Sequence, residues 1–232
     1  MLIWHISDTH ANHHKLRIPD DVDMVIHSGD CANSRHKVPN SVELWGFLDW
    51  FKGLPIKHKV LVAGNHDSAI QGRMVTKDNF EEWGITYLEN SSAEIEGIKI
   101  WGSPVTPTFG EWSFMMARHR IHRVWDTIPE DVDVVVTHGP PKGILDLTEN
   151  KDRSLEQVGC KSLLRRMTEI EPMIHCFGHV HSFKHIKNAG TMKMESMITE
   201  FSNGSCVEDG KQDELSSNGN VLSLWKQRRV LG

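Results

Sequence analysis

Short runs of β-branched and apolar residues recur along the chain at Leu2–Ile6, Met24–His27 and residues 60–62, 132–136 and 173–177. Each has the length of a buried strand, and each stops where a cluster of polar, chemically capable residues begins. Residues 41–54 carry Leu44, Leu48 and Phe51 at i, i+4, i+7, which predicts a helix. Leu163, Met167 and Ile170 predict a second helix over 159–170. Residues 85–101 alternate around Asn90-Ser91 and Glu96-Gly97 and read as antiparallel hairpins. Further strands are expected at 196–201 and 220–225, joined by a polar loop, 208–218, read as mobile and without function. Strands alternating with amphipathic segments describe a layered α/β chain, two packed sheets with helices outside.

Composition adjusts this picture only in places. A length of 232 residues suits one substantial core, so one domain over 1–232 is expected. Four cysteines (Cys31, Cys160, Cys176, Cys206) contain no C-x-x-C and read as free thiols. Cys31, beside Asp30, is expected near the chemistry and open to oxidation. The net charge of −5 speaks against an extended nucleic-acid footprint. It leaves small anionic substrates open, because local charge and not the sum decides what a site binds. No apolar run approaches membrane-spanning length, and Asp8 leaves room ahead of it for one strand only, so a cytoplasmic protein without a leader is expected. The basic stretch 226–229 reads as a solvated tail.

Five motifs carry the chemistry: Asp8-Thr9-His10, Gly29-Asp30, Gly64-Asn65-His66-Asp67, Thr137-His138-Gly139 and Gly178-His179-Val180-His181. Side chains at i and i+2 of a strand share a face, so Asp8 with His10, and His179 with His181, are expected to point together. Asn65 and His66, as neighbours, should diverge, one towards metal and the other towards substrate. Paired hydrolytic metals lie about 3.5–4 Å apart, and a shared carboxylate bridges them naturally. Asp30 is the candidate, with Gly29 letting the backbone approach. Oxygen and imidazole donors without thiolate suit manganese first, with iron, zinc, cobalt or nickel as alternatives, and speak against an all-oxygen magnesium or calcium cage. Of the 15 histidines, those outside the motifs are read as surface or supporting residues. Taken singly, each motif has a bland structural reading; five in order, each closing a strand, do not.

In this order the motifs resemble the calcineurin-like metallophosphoesterase superfamily, with Asn33 completing the Gly-Asp-x-x-Asn element. The likeness runs from about Trp4 to Ser205 and is closest to the metallophosphoesterase-domain-containing branch. Trp101-Gly-Ser-Pro-Val-Thr-Pro107, Thr137-His-Gly-Pro-Pro141 and Val158-Gly159-Cys160 carry that closer match. The resemblance implies a four-layer α-β-β-α sandwich of two mixed sheets, with a dinuclear metal site at the C-terminal ends of the strands. It implies that Asp8, His10, Asp30 and His181 hold one metal, and Asp30, Asn65, His138 and His179 the other. His66 is then catalytic, with Asp67 its orienting partner. Some members of the branch carry glycine where this chain has His179, so a complete dinuclear centre is expected here. The implied activity is phosphoester hydrolysis, with a hydroxide bridging the metals as nucleophile. No Asp-Arg follows the Gly-Asp motif, which argues against a phosphoprotein phosphatase. A phosphodiesterase acting on small nucleotides, cyclic ones included, or related phosphodiesters leads; a phosphomonoesterase, a nuclease or a non-catalytic binding module are the rivals. Phe109, Trp112 and Phe114 with Arg118, Arg120 and Arg123 would suit a nucleotide, but core aromatics followed by an exposed charged helix face is the plainer expectation.

Overall fold

Two sheets form the body of the molecule. The computed structural model describes residues 1–225, apart from the side chains of Gln212 and Asp213; the basic stretch 226–229 lies outside the described residues. The five-stranded sheet runs, edge to edge, Asn220–Ser223, Leu2–Ile6, Met24–His27, His58–Leu61 and Ile85–Tyr87. Its strands are parallel except Asn220–Ser223, which pairs antiparallel with Leu2–Ile6. The six-stranded sheet runs Gly190–Lys193, Glu200–Asn203, Ile174–Phe177, Val134–Thr137, Ile98–Ser103 and Ser91–Ile95. Its four central strands are parallel and both edge strands antiparallel.

Strand periodicity explains how four layers form. On one face Ile3, Met24, Ile26 and Val60 of the first sheet meet Ile100, Val134, Val136 and Ile174 of the second, all buried in one cluster. The intervening residues point outward and need cover. Trp4, Val25 and Leu61 lie in a cluster with Leu44, Phe47, Leu48 and Phe51 of helix Lys37–Gly53. Trp101, Val135 and Phe177 lie in another with Leu163 and Met167 of helix Lys161–Ile170. Strands covered on both faces read as continuous apolar runs, which is why they were legible in the sequence. The expected α-β-β-α order is the observed one.

Several local expectations need correction. The first helix begins at Lys37 and not at 41, because Pro39 sits in the first turn, where its missing N–H loses no helical bond. Glu96-Gly97 is a hairpin turn as expected: both residues have positive φ (50° and 78°) and join Ile95 to Ile98. Asn90-Ser91 is not. Ile85–Tyr87 pairs parallel with His58–Leu61, and the chain then crosses to the other sheet. The polar segment after 206 is also structured, with Val207–Glu208 and Lys211–Leu215 forming a hairpin. The final strand of the second sheet is Glu200–Asn203, and residues 196–199 lead into it. Among the described residues, no helix is long and apolar enough to cross a membrane.

Candidate metal centre

All five motifs follow parallel strands, so the topology delivers them to the same end of the sandwich. Asp8 and His10 come from beyond Leu2–Ile6, Asp30 from beyond Met24–His27, and Asn65 and His66 from beyond His58–Leu61. His138 follows Val134–Thr137, and His179 and His181 follow Ile174–Phe177. At this end the sheets are stitched together, Ser7 donating its N–H to Gly204 O (2.8 Å) and accepting from Cys206 N (2.9 Å).

The donors fall into overlapping groups: Asp8, His10 and His181; Asp30, His138 and His179; and, between them, His10, Asp30 and His66. The i, i+2 argument holds for Asp8 with His10 and fails for His179 with His181, because these residues lie past the regular strand. Asp8 and His10 lie past the strand end with φ of 50° and 41°, as do Asp30 (57°) and His179 (69°). Left-handed backbone at four non-glycine residues costs on the order of 1–3 kcal/mol each, the kind of strain that collects at functional sites. His179 and His181 consequently part, one to each outer group.

Donor spacing tests whether metal fits. Nε2 of His181 lies 3.2 Å from Asp8 Oδ1 and 3.4 Å from His10 Nε2. Nε2 of His138 lies 2.9 Å from Asn65 Oδ1 and 3.4 Å from Asp30 Oδ2. Ligand bonds of about 2.0–2.2 Å place neighbouring donors roughly 3.0–3.5 Å apart around one cation, so both sets fit. The tautomers fit too. Nδ1 donates to Ala32 O from His10 (3.2 Å), to Ser28 O from His138 (2.9 Å) and to Asp209 Oδ1 from His181 (2.8 Å). Each of these three rings therefore turns its Nε2 towards the centre, free to ligate once deprotonated. Asp209 was missed in the sequence: it sits at the turn of the hairpin read there as a functionless loop.

Close backbone approach completes the site. A Cβ on Gly178 would lie 2.1 Å from Asp8 Oδ2, and one on Gly29 (φ +111°) 2.4 Å from His138 Nδ1. Asp8 is further held by the N–H of His179 and by Ser205 Oγ at 2.7 Å.

Without cations the charges pair internally. Burial pushes the Asp8 and Asp30 carboxyls up, but the hydrogen bond and charge of His181, and the charge of His138, hold them well below the usual carboxylate range. Burial depresses the imidazoles, yet Asp209 and Asp8 raise His181 to about 10 and Asp30 raises His138 to about 9. His10 and His179 stay low, at about 4 and about 3, through burial.

Asp67 does not orient His66. Its buried carboxylate accepts the backbone N–H groups of Gly64 (2.7 Å), Asp30 (2.9 Å) and Ala32 (3.0 Å), tying two motif loops together. Burial and the Asp30 charge push its pKa up to about 6. Nδ1 of His66 donates instead to Asn33 O at 2.9 Å, and the indole of Trp112 covers the ring at 4.4 Å between centroids. The Arg35 guanidinium lies over the Trp112 ring at 3.6 Å from its centroid. The aromatic wall is thus real for Trp112 and for Phe109, which lies 5.1 Å from the His179 ring and is 54% exposed; Phe114 is core. Helix His122–Trp125 is too short to present the expected charged face. Cys31 is fully buried with its thiol pushed well above the usual range by burial, which opposes the expected oxidation. His5, His27 and His175, read as surface or supporting residues, are also fully buried.

The family model for calcineurin-like phosphoesterases matches residues 1–183. The chain is 31% identical over 210 residues to human metallophosphoesterase domain-containing protein 1, covering 80% of this chain and 62% of that protein. A UPF0046 protein of Caenorhabditis elegans is 33% identical over 189 residues, covering 76% of this chain and 62% of the relative. The chain thus spans less than two thirds of either relative. The crystal structure of phosphopantetheinyl hydrolase from Mycobacterium tuberculosis superposes with a TM-score of 0.59 over 90% of both chains at 15% identity, a likeness of fold.

Proposed function

The chain belongs to the calcineurin-like phosphoesterase family, and on that premise we propose that it is a metal-dependent phosphodiesterase acting on small phosphodiesters, cyclic nucleotides among them. One observation carries the reading: oxygen and imidazole donors from five strand ends meet in two adjoining sets joined by Asp30, without a thiolate. Asp8, His10, Asp30 and His181 would hold one divalent cation, and Asp30, Asn65, His138 and His179 the other. Bound there, the pair supplies Lewis-acid polarisation of the phosphoryl group and a lowered pKa for water.

The remaining roles belong to the chain. Hydrogen bonds to Nδ1 of His10, His138 and His181 fix their lone pairs on the centre, so little reorganisation accompanies reaction. His66, held by Asn33 O and Trp112, would hydrogen-bond the phosphoryl or leaving oxygen through Nε2. Trp112 and Phe109 line the cavity of about 190 Å³ at the donors and narrow access for water. The reading is tested by turnover of a chromogenic phosphodiester and of cyclic nucleotides with manganese, iron, zinc, cobalt or nickel. Activity should appear with metal and vanish on chelation. Loaded, folded protein that leaves every diester untouched while cleaving monoesters would transfer the assignment to a phosphomonoesterase.

A further inference from the structure

Beside the donor cavity lies a second hollow of about 290 Å³. The two share Phe109, His179, His181 and Asp209, so they adjoin along that wall, with the donors on one side of it. The walls of the second part are chiefly apolar, from Pro107, Phe109, Pro140, Val158 and Val180. Its Asp209 and Arg118 side chains both bond within the chain. Asp209 accepts from His181, and Arg118 donates through its two terminal nitrogens to Gly159 O (3.2 Å) and Val158 O (2.9 Å). Those two bonds hold the guanidinium at the edge of the hollow and use part of its donor set. Phe109 stands at the junction of the two cavities, half-exposed, with its ring against His179 and no core to fill.

Resting on the phosphodiesterase reading above, we infer that this hollow is the subsite for the ester substituent of the substrate, and that it selects a planar ring over a small alkyl group. A ring reaching from the phosphoryl position into this hollow would lie among Phe109, Pro107, Pro140 and Val158. A small alkyl group would leave most of the 290 Å³ unfilled. Phe109 and Val158 are the specificity-determining residues, and neither is a metal donor.

The test separates binding from turnover. Manganese-loaded full-length chain is titrated with phenylphosphonate and with methylphosphonate, which share the anionic head and differ only in the group sent into the hollow. Phenylphosphonate should bind roughly tenfold more tightly, the gain expected from burying one ring. Phe109→Ala should erase most of that preference by removing the wall, and Val158→Trp should erase it by filling the space, with metal content unchanged in both. Phe109 is half-exposed, so its variant decides the matter even if the tryptophan is not accommodated. Equal affinity for the two phosphonates, or a phenyl preference that survives Phe109→Ala, overturns the subsite. A phenyl preference lost in the variants, in protein that hydrolyses no diester, upholds the subsite and overturns the phosphodiesterase reading alone.

Discussion

Replacing His66 with alanine removes a ring that Asn33 O and Trp112 hold in place, and it leaves both outer donor sets complete. Turnover should therefore fall by about 10²–10⁴-fold while metal content, read by elemental analysis, stays near two per chain. Asp30→Ala should empty the centre. Equal metal loss in both variants would make His66 a ligand, a role that its place in the His10–Asp30–His66 group allows. Asp209→Asn tests the support of His181: it keeps an acceptor but removes the negative charge, and should weaken one of two metal-binding steps by roughly tenfold in a calorimetric titration. Two unchanged steps would show that Asp209 is incidental. The donors themselves were legible because each stands in a motif closing an apolar run. The partners of His66 and His181 were not. Asp67 is adjacent to His66 in sequence, yet its carboxylate turns to three backbone N–H groups, and Asp209 lies 28 residues from the ring it supports.

At the scale of elements, the strand ends decide the centre, and they are packed without slack. Gly178→Ala places a methyl 2.1 Å from Asp8 Oδ2, so either Asp8 or the Gly178 loop must move. We expect a loss on the order of 1–3 kcal/mol in denaturant unfolding, together with weaker metal binding. A variant with wild-type stability and metal affinity would mean that the loops yield more readily than their hydrogen bonds suggest. Strands covered on both faces announced themselves as apolar runs, and the Leu44–Leu48–Phe51 spacing announced the first helix. Sheet membership did not. Whether 85–87 pairs with 91–95 or with His58–Leu61 depends on which side of the core it reaches, and local alternation is identical in both cases. The hairpin at Val207–Leu215 escaped notice because its polar sequence lacks the alternation of a half-buried strand.

For the molecule as a whole, buried imidazoles set the acid limit. Burial pushes His5, His27 and His175 down to about 3, whereas in an unfolded chain they titrate near 6.5. Below about pH 6.5 the unfolded chain takes up protons that the folded chain refuses, so stability falls as pH drops, continuing towards about 3. Three such groups amount to on the order of 4 kcal/mol per pH unit. In metal-free protein His181 and His138 act oppositely: their contribution, complete below about 6.5, is lost as pH rises through about 10 and about 9. Urea midpoints of metal-free protein should therefore peak near pH 6.5 and fall on both sides; a midpoint still rising at pH 9 would contradict these assignments. One further consequence follows from the donors' mixed parentage. Asp8, Asp30 and Asn65 hang from one sheet, and His138, His179 and His181 from the other, so cations seated among them act as rivets across a seam. Unfastened by a chelator, the layers should loosen together at that rim, and amide exchange should quicken after Ile6, His27, Thr137 and Phe177 alike while the far rim stays protected.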